Sequence, residues 1–122
     1  AKNNNTHLEV WGDGTPRREF LHATDVARAC LQLLKYEGEL PQRIIVSGKE
    51  ETKISDLVNM IANATDLENI KWLTEKPNGQ MRRPTNKEVF NKYLPDFEYT
   101  DLQEAINNTV DWFNKNYPSV RL

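Results

Sequence analysis

The 122-residue sequence predicts a small, helix-rich α/β lobe with a few short strands. Three observations predict it. Residues 54–64 place Ile54, Leu57, Val58, Ile61 and Ala62 at i, i+3, i+4, i+7 and i+8, the spacing of one helix face. Residues 101–117 repeat that pattern with Leu102, Ala105, Ile106, Val110, Phe113 and Tyr117. Between the helical stretches lie short runs rich in Val, Ile and Trp, bounded by Gly and Pro.

The elements follow in order. Residues 7–11 read as a strand, ended by the turn Gly12-Asp13-Gly14-Thr15-Pro16. Residues 19–22 read as a short extended segment. A helix is expected over 25–36, capped by Thr24 or Asp25, with Val26, Cys30, Leu33 and Leu34 on its apolar face and Gly38 at its end. Cys30 then reads as a buried structural thiol. Residues 42–47, QRIIVS, read as a buried strand. After the 54–64 helix comes a strand at 70–73, then a loop at 75–84 holding Pro77, Gly79 and Pro84. A short helix is expected at 86–93. Thr100 and Gln103 form a capping box for the last helix, 101–117.

Size and charge narrow the function. A chain of this length is one domain with a modest core. The formal charge of −2 gives no global pull toward nucleic acid or an anionic membrane. Mean hydropathy is −0.75, and no apolar run approaches a membrane span. One cysteine makes no internal disulfide, and two histidines with it give no metal-ligand spacing. The glycosylation triplets at Asn4, Asn63 and Asn107 read as chance, since no secretory leader accompanies them; a cytoplasmic location is expected.

The chemistry concentrates in Val10-Trp11-Gly12-Asp13-Gly14-Thr15-Pro16-Arg17-Arg18-Glu19-Phe20-Leu21-His22. The two glycines can take positive φ and let other groups approach the backbone. Trp11 offers a flat apolar plate. Arg17 and Arg18 offer planar charged forks suited to phosphate. Together they describe a site for a phosphorylated ligand with a ring, such as a nucleotide. By itself the run fits a tight hairpin turn followed by a solvated arginine pair equally well.

The run VWGDGTPRREFLHATDVARA resembles the start of the substrate-binding region of the extended short-chain dehydrogenase/reductases, the NAD-dependent epimerase/dehydratase family. Trp11 and the unbroken TPRREFLH are most similar to the fucose-synthase branch. Ile45-Val46-Ser47-Gly48 resembles the family's Asn-Val-Gly strand end, and Ile54-Ser55-Asp56-Leu57 its following helix. Lys76-Pro77-Asn78-Gly79-Gln80-Met81-Arg82-Arg83 resembles its Lys-Pro-Asp-Gly-x-x-Arg-Lys loop. Residues 101–106 with Trp112-Phe113 resemble its last helix.

The resemblance implies roles. Trp11 lines a nucleotide-sugar site, and Arg18 partners the diphosphate. Asn78 stands where the family has an Asp that accepts bonds from base or ribose, so base preference is left open. Arg82 and Arg83 supply cations near the substrate. No metal site and no catalytic residue is implied. The family's Gly-x-x-Gly-x-x-Gly turn and Tyr-x-x-x-Lys pair, which serve NADP and proton transfer, do not occur in this sequence. The chain is therefore expected to be a C-terminal lobe lacking the dinucleotide-binding (Rossmann) domain, with no cofactor of its own, although NADP is expected for a full-length enzyme. Whether it is an enzyme portion or a stand-alone module for a nucleotide sugar or a protein stays open; reading the DNA upstream of Ala1 separates the two. The expected ligand is a GDP-sugar or other nucleotide sugar. Self-association as a homodimer is expected through exposed apolar surface around Leu8, Val10, Trp11, Phe20 and Leu21.

Overall fold

The computed structural model describes residues 7–120. The Asn4 triplet and the chain start lie outside the described residues. The order is β1 (Leu8–Trp11), β2 (Arg17–Glu19), α1 (Ala23–Leu34), β3 (Glu51–Lys53), α2 (Ile54–Thr65), β4 (Ile70–Leu73), α3 (Glu88–Tyr93) and α4 (Leu102–Asn116). This is the helix-rich α/β lobe that the patterning predicts.

Two small ladders carry the irregular parts. β1 pairs β4 in parallel, Leu8 with Ile70 through Trp11 with Leu73. β2 pairs β3 antiparallel, Arg17 with Lys53, Arg18 with Thr52 and Glu19 with Glu51. β3 has no counterpart in the sequence reading, because Glu-Thr-Lys carries no apolar alternation. β2 begins two residues earlier than the extended segment expected at 19–22.

The glycine turn joins the ladders. Gly12 and Gly14 sit at φ 80° and 76°, a region closed to most side chains. Ser55 N–H donates to Gly14 O at 3.0 Å and Ile54 N–H to Pro16 O at 2.9 Å, which ties the turn to the start of α2. A Cβ on Gly14 would lie 2.6 Å from the Trp72 ring. Gly14→Ala should thus cost about 1–2 kcal/mol in backbone strain and about 1–3 kcal/mol in crowding. Chemical denaturation checks this; wild-type stability in G14A would refute the packed turn.

α2 is the central helix. Val58 and Ala62 are buried, with Ala105 of α4 and Ala29 of α1. The small residues at these positions let helices approach. α2 ends at Asp66 in the left-handed region. Beside this core, Phe90 of α3 is buried in an edge-to-face cluster with Phe97, whose ring in turn meets Tyr99.

Several local expectations are corrected. Neither Thr24 nor Asp25 caps α1; His22 holds the N-cap position without a side-chain bond. α1 ends at Leu34, before Gly38. Asp25 is 1% exposed. Its carboxylate accepts from Thr100 N–H at 3.0 Å, Thr100 Oγ1 at 2.7 Å and Arg28 Nη2 at 2.6 Å. Thr100 is thereby spent on α1, and Asp101 caps α4 by accepting from Gln103 and Glu104 N–H.

α1 also presents a neighbouring face to the core, and of the residues expected inside only Leu33 is half-buried. Its buried face holds Asp25 and Ala29, drawn inward by that hydrogen-bonded cluster. Val26, Cys30 and Leu34, expected inside, are exposed, as are Ala23, Ala27 and Leu31. Cys30 is therefore no core thiol. The 42–47 stretch forms no strand. It finds no ladder partner among the described residues, and Ile45 is 53% exposed between half-buried Ile44 and Val46.

Candidate functional site

The site grows from the glycine turn. Parallel pairing sets Trp11 at the end of β1 beside Leu73, and Gly12 N–H donates to Leu73 O at 3.0 Å. Trp11 cannot turn inward there and stays 65% exposed. Lys76 Nζ lies 5.6 Å from its ring centroid, a cation–π distance. Within the turn, Asp13 Oδ1 accepts from Thr15 Oγ1 at 2.6 Å and Thr15 N–H at 2.9 Å. These bonds, the hydroxyl's first, hold the Asp13 carboxyl below its usual range.

The 75–84 loop folds over this turn. Asn78 Oδ1 accepts from Asp13 N–H at 2.8 Å. A Cβ on Gly12 would strike that carboxamide, so glycine is required by close approach as well as by φ. Arg17 N–H donates to Met81 O at 2.8 Å. Arg18 donates through Nη1 to Arg17 O at 2.6 Å and through Nη2 to Gln80 O at 2.7 Å. A guanidinium has about five N–H donors, so this clamp orients Arg18 without exhausting it.

The structure thus brings Trp11, Arg18 and Asn78 to one cradle. The arginines of the loop divide. Arg82 donates through Nε, at 2.9 Å, and Nη2 to Glu51 Oε2 on β3. That bond chiefly lowers the Glu51 carboxyl and raises the Arg82 guanidinium from their ordinary values. Arg82 is a fastening of the loop. Arg83 is exposed and makes no ion pair or hydrogen bond among the described residues. Arg17 is exposed on β2 and reaches Glu51 O at 3.4 Å.

Sequence reasoning missed Lys76, Asp13, Glu51 and a polar cluster beneath the loop. There Glu19, directly opposite Glu51 in the ladder, meets Lys87 Nζ at 3.1 Å and the Thr85 hydroxyl. Burial pushes the Glu19 carboxyl up, but Thr85 and Lys87 outweigh it and hold it below its ordinary value. Only the Asp-Gly turn chemistry of Asp13 left a signal in the sequence.

A second cavity lies elsewhere. It is an apolar groove of about 860 Å³ between residues 20–24, α2 and α4, lined by Leu57, Ile61, Ile106 and Trp112. It offers no cation to a phosphate, so the cradle is the better candidate. The apolar patch expected at residues 8–21 is mostly covered. Leu8, Val10, Phe20 and Leu21 are half-buried by β4 or the groove, and Trp11 alone of the five is exposed. Among the described residues no helix is long and apolar enough to cross a membrane, and no cluster of His, Cys, Asp and Glu could hold a metal.

Residues 1–48 match the NAD dependent epimerase/dehydratase family. GDP-L-fucose synthase 1 of Arabidopsis thaliana is 35% identical across 88% of the chain, which spans 33% of that relative. A dTDP-4-dehydro-6-deoxy-D-allose reductase of Streptomyces bikiniensis is 33% identical across 87% of the chain and is spanned to 32%. The crystal structure of a GDP-L-fucose synthetase from Naegleria fowleri superposes with a TM-score of 0.90 at 33% identity, covering 99% of this chain and 37% of its own. The chain is thus similar along nearly its whole length to GDP-L-fucose synthases, of which it spans little more than a third, and its first 48 residues match the NAD dependent epimerase/dehydratase family.

Proposed function

We propose that this chain is the GDP-sugar-binding portion of an NADP-dependent GDP-4-keto-6-deoxy-mannose epimerase/reductase. One observation carries the reading. The loop bearing Asn78 and Gln80 closes on the turn bearing Trp11, Asp13 and Arg18, across more than 60 residues of sequence. A hairpin turn needs no such closure. The cradle offers an aromatic plate for a base and a pre-oriented guanidinium for a diphosphate. Arg83 adds a cation, unpaired among the described residues, at the loop's far end.

The residues present do not fit NADP. Among the described residues neither parallel strand passes through a glycine turn into a helix N-terminus, the arrangement that holds a dinucleotide pyrophosphate. β1 leads through its glycines into β2, and β4 leads into the 75–84 loop. The chain's part is to bind and orient the substrate; the cofactor and the proton-transfer groups belong to the remainder of a full-length enzyme. A cytoplasmic location goes with this reading.

The base is open to test because a dTDP-sugar enzyme stands beside GDP-sugar enzymes among the relatives. Asn78 has its oxygen committed to Asp13, which leaves it a donor toward a ligand. Amide shifts should be followed by NMR while GDP-mannose or a dTDP-sugar is added. Shifts at residues 11–18 and 78–83 are expected, with weak affinity. Arg18→Ala should lose about 1.5–3 kcal/mol of that binding. The chain alone should show no oxidoreductase turnover. Shifts confined to other regions would end the site assignment.

A further inference from the structure

The 75–84 loop runs from the aromatic end of the cradle to its cationic end. Asn78 lies against Gly12, next to Trp11, since a Cβ on Gly12 would strike its carboxamide. Two residues on, Gln80 O accepts from Arg18 Nη2 at 2.7 Å, and a Cβ on Gly79 would stand 3.9 Å from that same nitrogen. A ligand whose diphosphate meets Arg18 therefore lays its base at the Trp11 end. Asp13 stands at that end, exposed at the tip of the turn between Gly12 and Gly14.

The Asp13 carboxylate is held in one orientation. Its Oδ1 accepts from Thr15 Oγ1 at 2.6 Å and from Thr15 N–H at 2.9 Å. A carboxylate has about four lone-pair sites, and Thr15 takes two of them on one oxygen. Among the described residues no hydrogen bond ends on Oδ2. The Thr15 hydroxyl, then its N–H, and more weakly the Asn78 amide keep the carboxyl below its usual range, so it is ionised at neutral pH. Asn78 cannot take over as acceptor. Its Oδ1 is bound to Asp13 N–H at 2.8 Å, and reversing the amide would set its NH2 against that donor.

Granted the nucleotide-sugar reading on which this rests, we propose that Asp13 selects the base, its Oδ2 accepting from the N–H groups of a guanine edge. Guanine carries two adjacent donors there, the ring N1–H and the exocyclic amine. Adenine sets its amine beside an acceptor nitrogen. Thymine and uracil flank a single N–H with two carbonyl oxygens, which a carboxylate repels. Asp13 thus works by attraction to one base and by repulsion of the others. A charge-assisted bond of this kind is worth more than a neutral one.

NMR titration of the chain with GDP, inosine diphosphate, dTDP and 2′-deoxy-GDP tests it. Inosine diphosphate lacks only the exocyclic amine of GDP. Wild type should favour GDP over inosine diphosphate and dTDP by about tenfold or more, a comparison that needs no variant. Asp13→Asn keeps an oxygen for Thr15 and turns an NH2 outward. D13N should melt like wild type and lose the preference for GDP. A D13N chain that keeps the preference overturns base selection by Asp13. So does a wild type that binds GDP, inosine diphosphate and dTDP alike with shifts at residues 11–18 and 78–83, which leaves the nucleotide-sugar site standing. A larger loss for 2′-deoxy-GDP than for inosine diphosphate puts the carboxylate on the ribose and overturns it too. Absence of shifts at those residues with every nucleotide overturns the site itself, and base selection with it.

Discussion

Asp25→Ala should cost this chain about 3–5 kcal/mol, the range seen when a buried charged partner is removed. Asp25 is 1% exposed. It gathers the Arg28 guanidinium with the N–H and hydroxyl of Thr100. Removing it strands the two Thr100 donors and leaves only the Arg28 bond to Glu98 O to link α1 with the segment leading into α4. Small domains hold only about 5–15 kcal/mol in total, so D25A should sit near the limit of folding. The pH dependence follows. Burial pushes the Asp25 carboxyl up, but Thr100 and Arg28 outweigh it and hold it below its ordinary value, which is about 3.9. Its contribution is complete above that ordinary value and drains away as pH falls through the lower folded one. Urea melts of wild type and D25A should converge in that acid window. A variant that melts like wild type at neutral pH would refute the account.

Lys87→Met should have a similar effect for a different reason. Glu19 and Glu51 face each other in the β2–β3 ladder, and like charges so placed repel. Glu51 is answered by Arg82 within the loop and Glu19 by Lys87 just after it. Glu19's side chain is 8% exposed and Lys87's 20%. Methionine keeps the length and removes the charge, so a mostly buried carboxylate loses its cation. Lys87 also donates to the carbonyls of Gly48 and Lys49, and its loss leaves both without that donor. About 3–5 kcal/mol is expected. Glu19→Gln added to K87M should restore part of it, because the stranded charge is then gone. Thermal melts of the single and double variants decide; no recovery would show that the pair is not what Lys87 serves.

These clusters also mark where the sequence stops being legible. Periodicity located α2 and α4, although Phe113 and Tyr117, expected on the apolar stripe of α4, are exposed and Tyr117 falls just past its end. It located α1 but misplaced its inner face, because Asp25 is drawn inside by Thr100, 75 residues away. Apolar spacing carries no trace of such a bond. The IIV run read as a strand because its composition is that of one; pairing depends on a neighbour, which composition does not supply. β3 was invisible for the opposite reason, since its register is set by Arg17 and Arg18 across from it. In the candidate site, the turn residues were readable from Gly, Asp and Pro. The binding roles proposed for Trp11, Arg18 and Asn78 rest on the resemblance, and their convergence on the loop.

The β1–β4 ladder has a kinetic consequence. Leu8 meets Ile70, and Trp11 meets Leu73, so each contact closes a chain loop that already contains α1 and α2. Loop closure of that kind is slow, because its entropy is lost before the contact is made. Helices α1 and α2 can form from nearby contacts, while Trp11 and the 75–84 loop wait for β4 to arrive. The cradle is then among the last parts to assemble and among the first to open. A ligand seated in it binds only the finished ladder, and should slow unfolding more than it speeds folding.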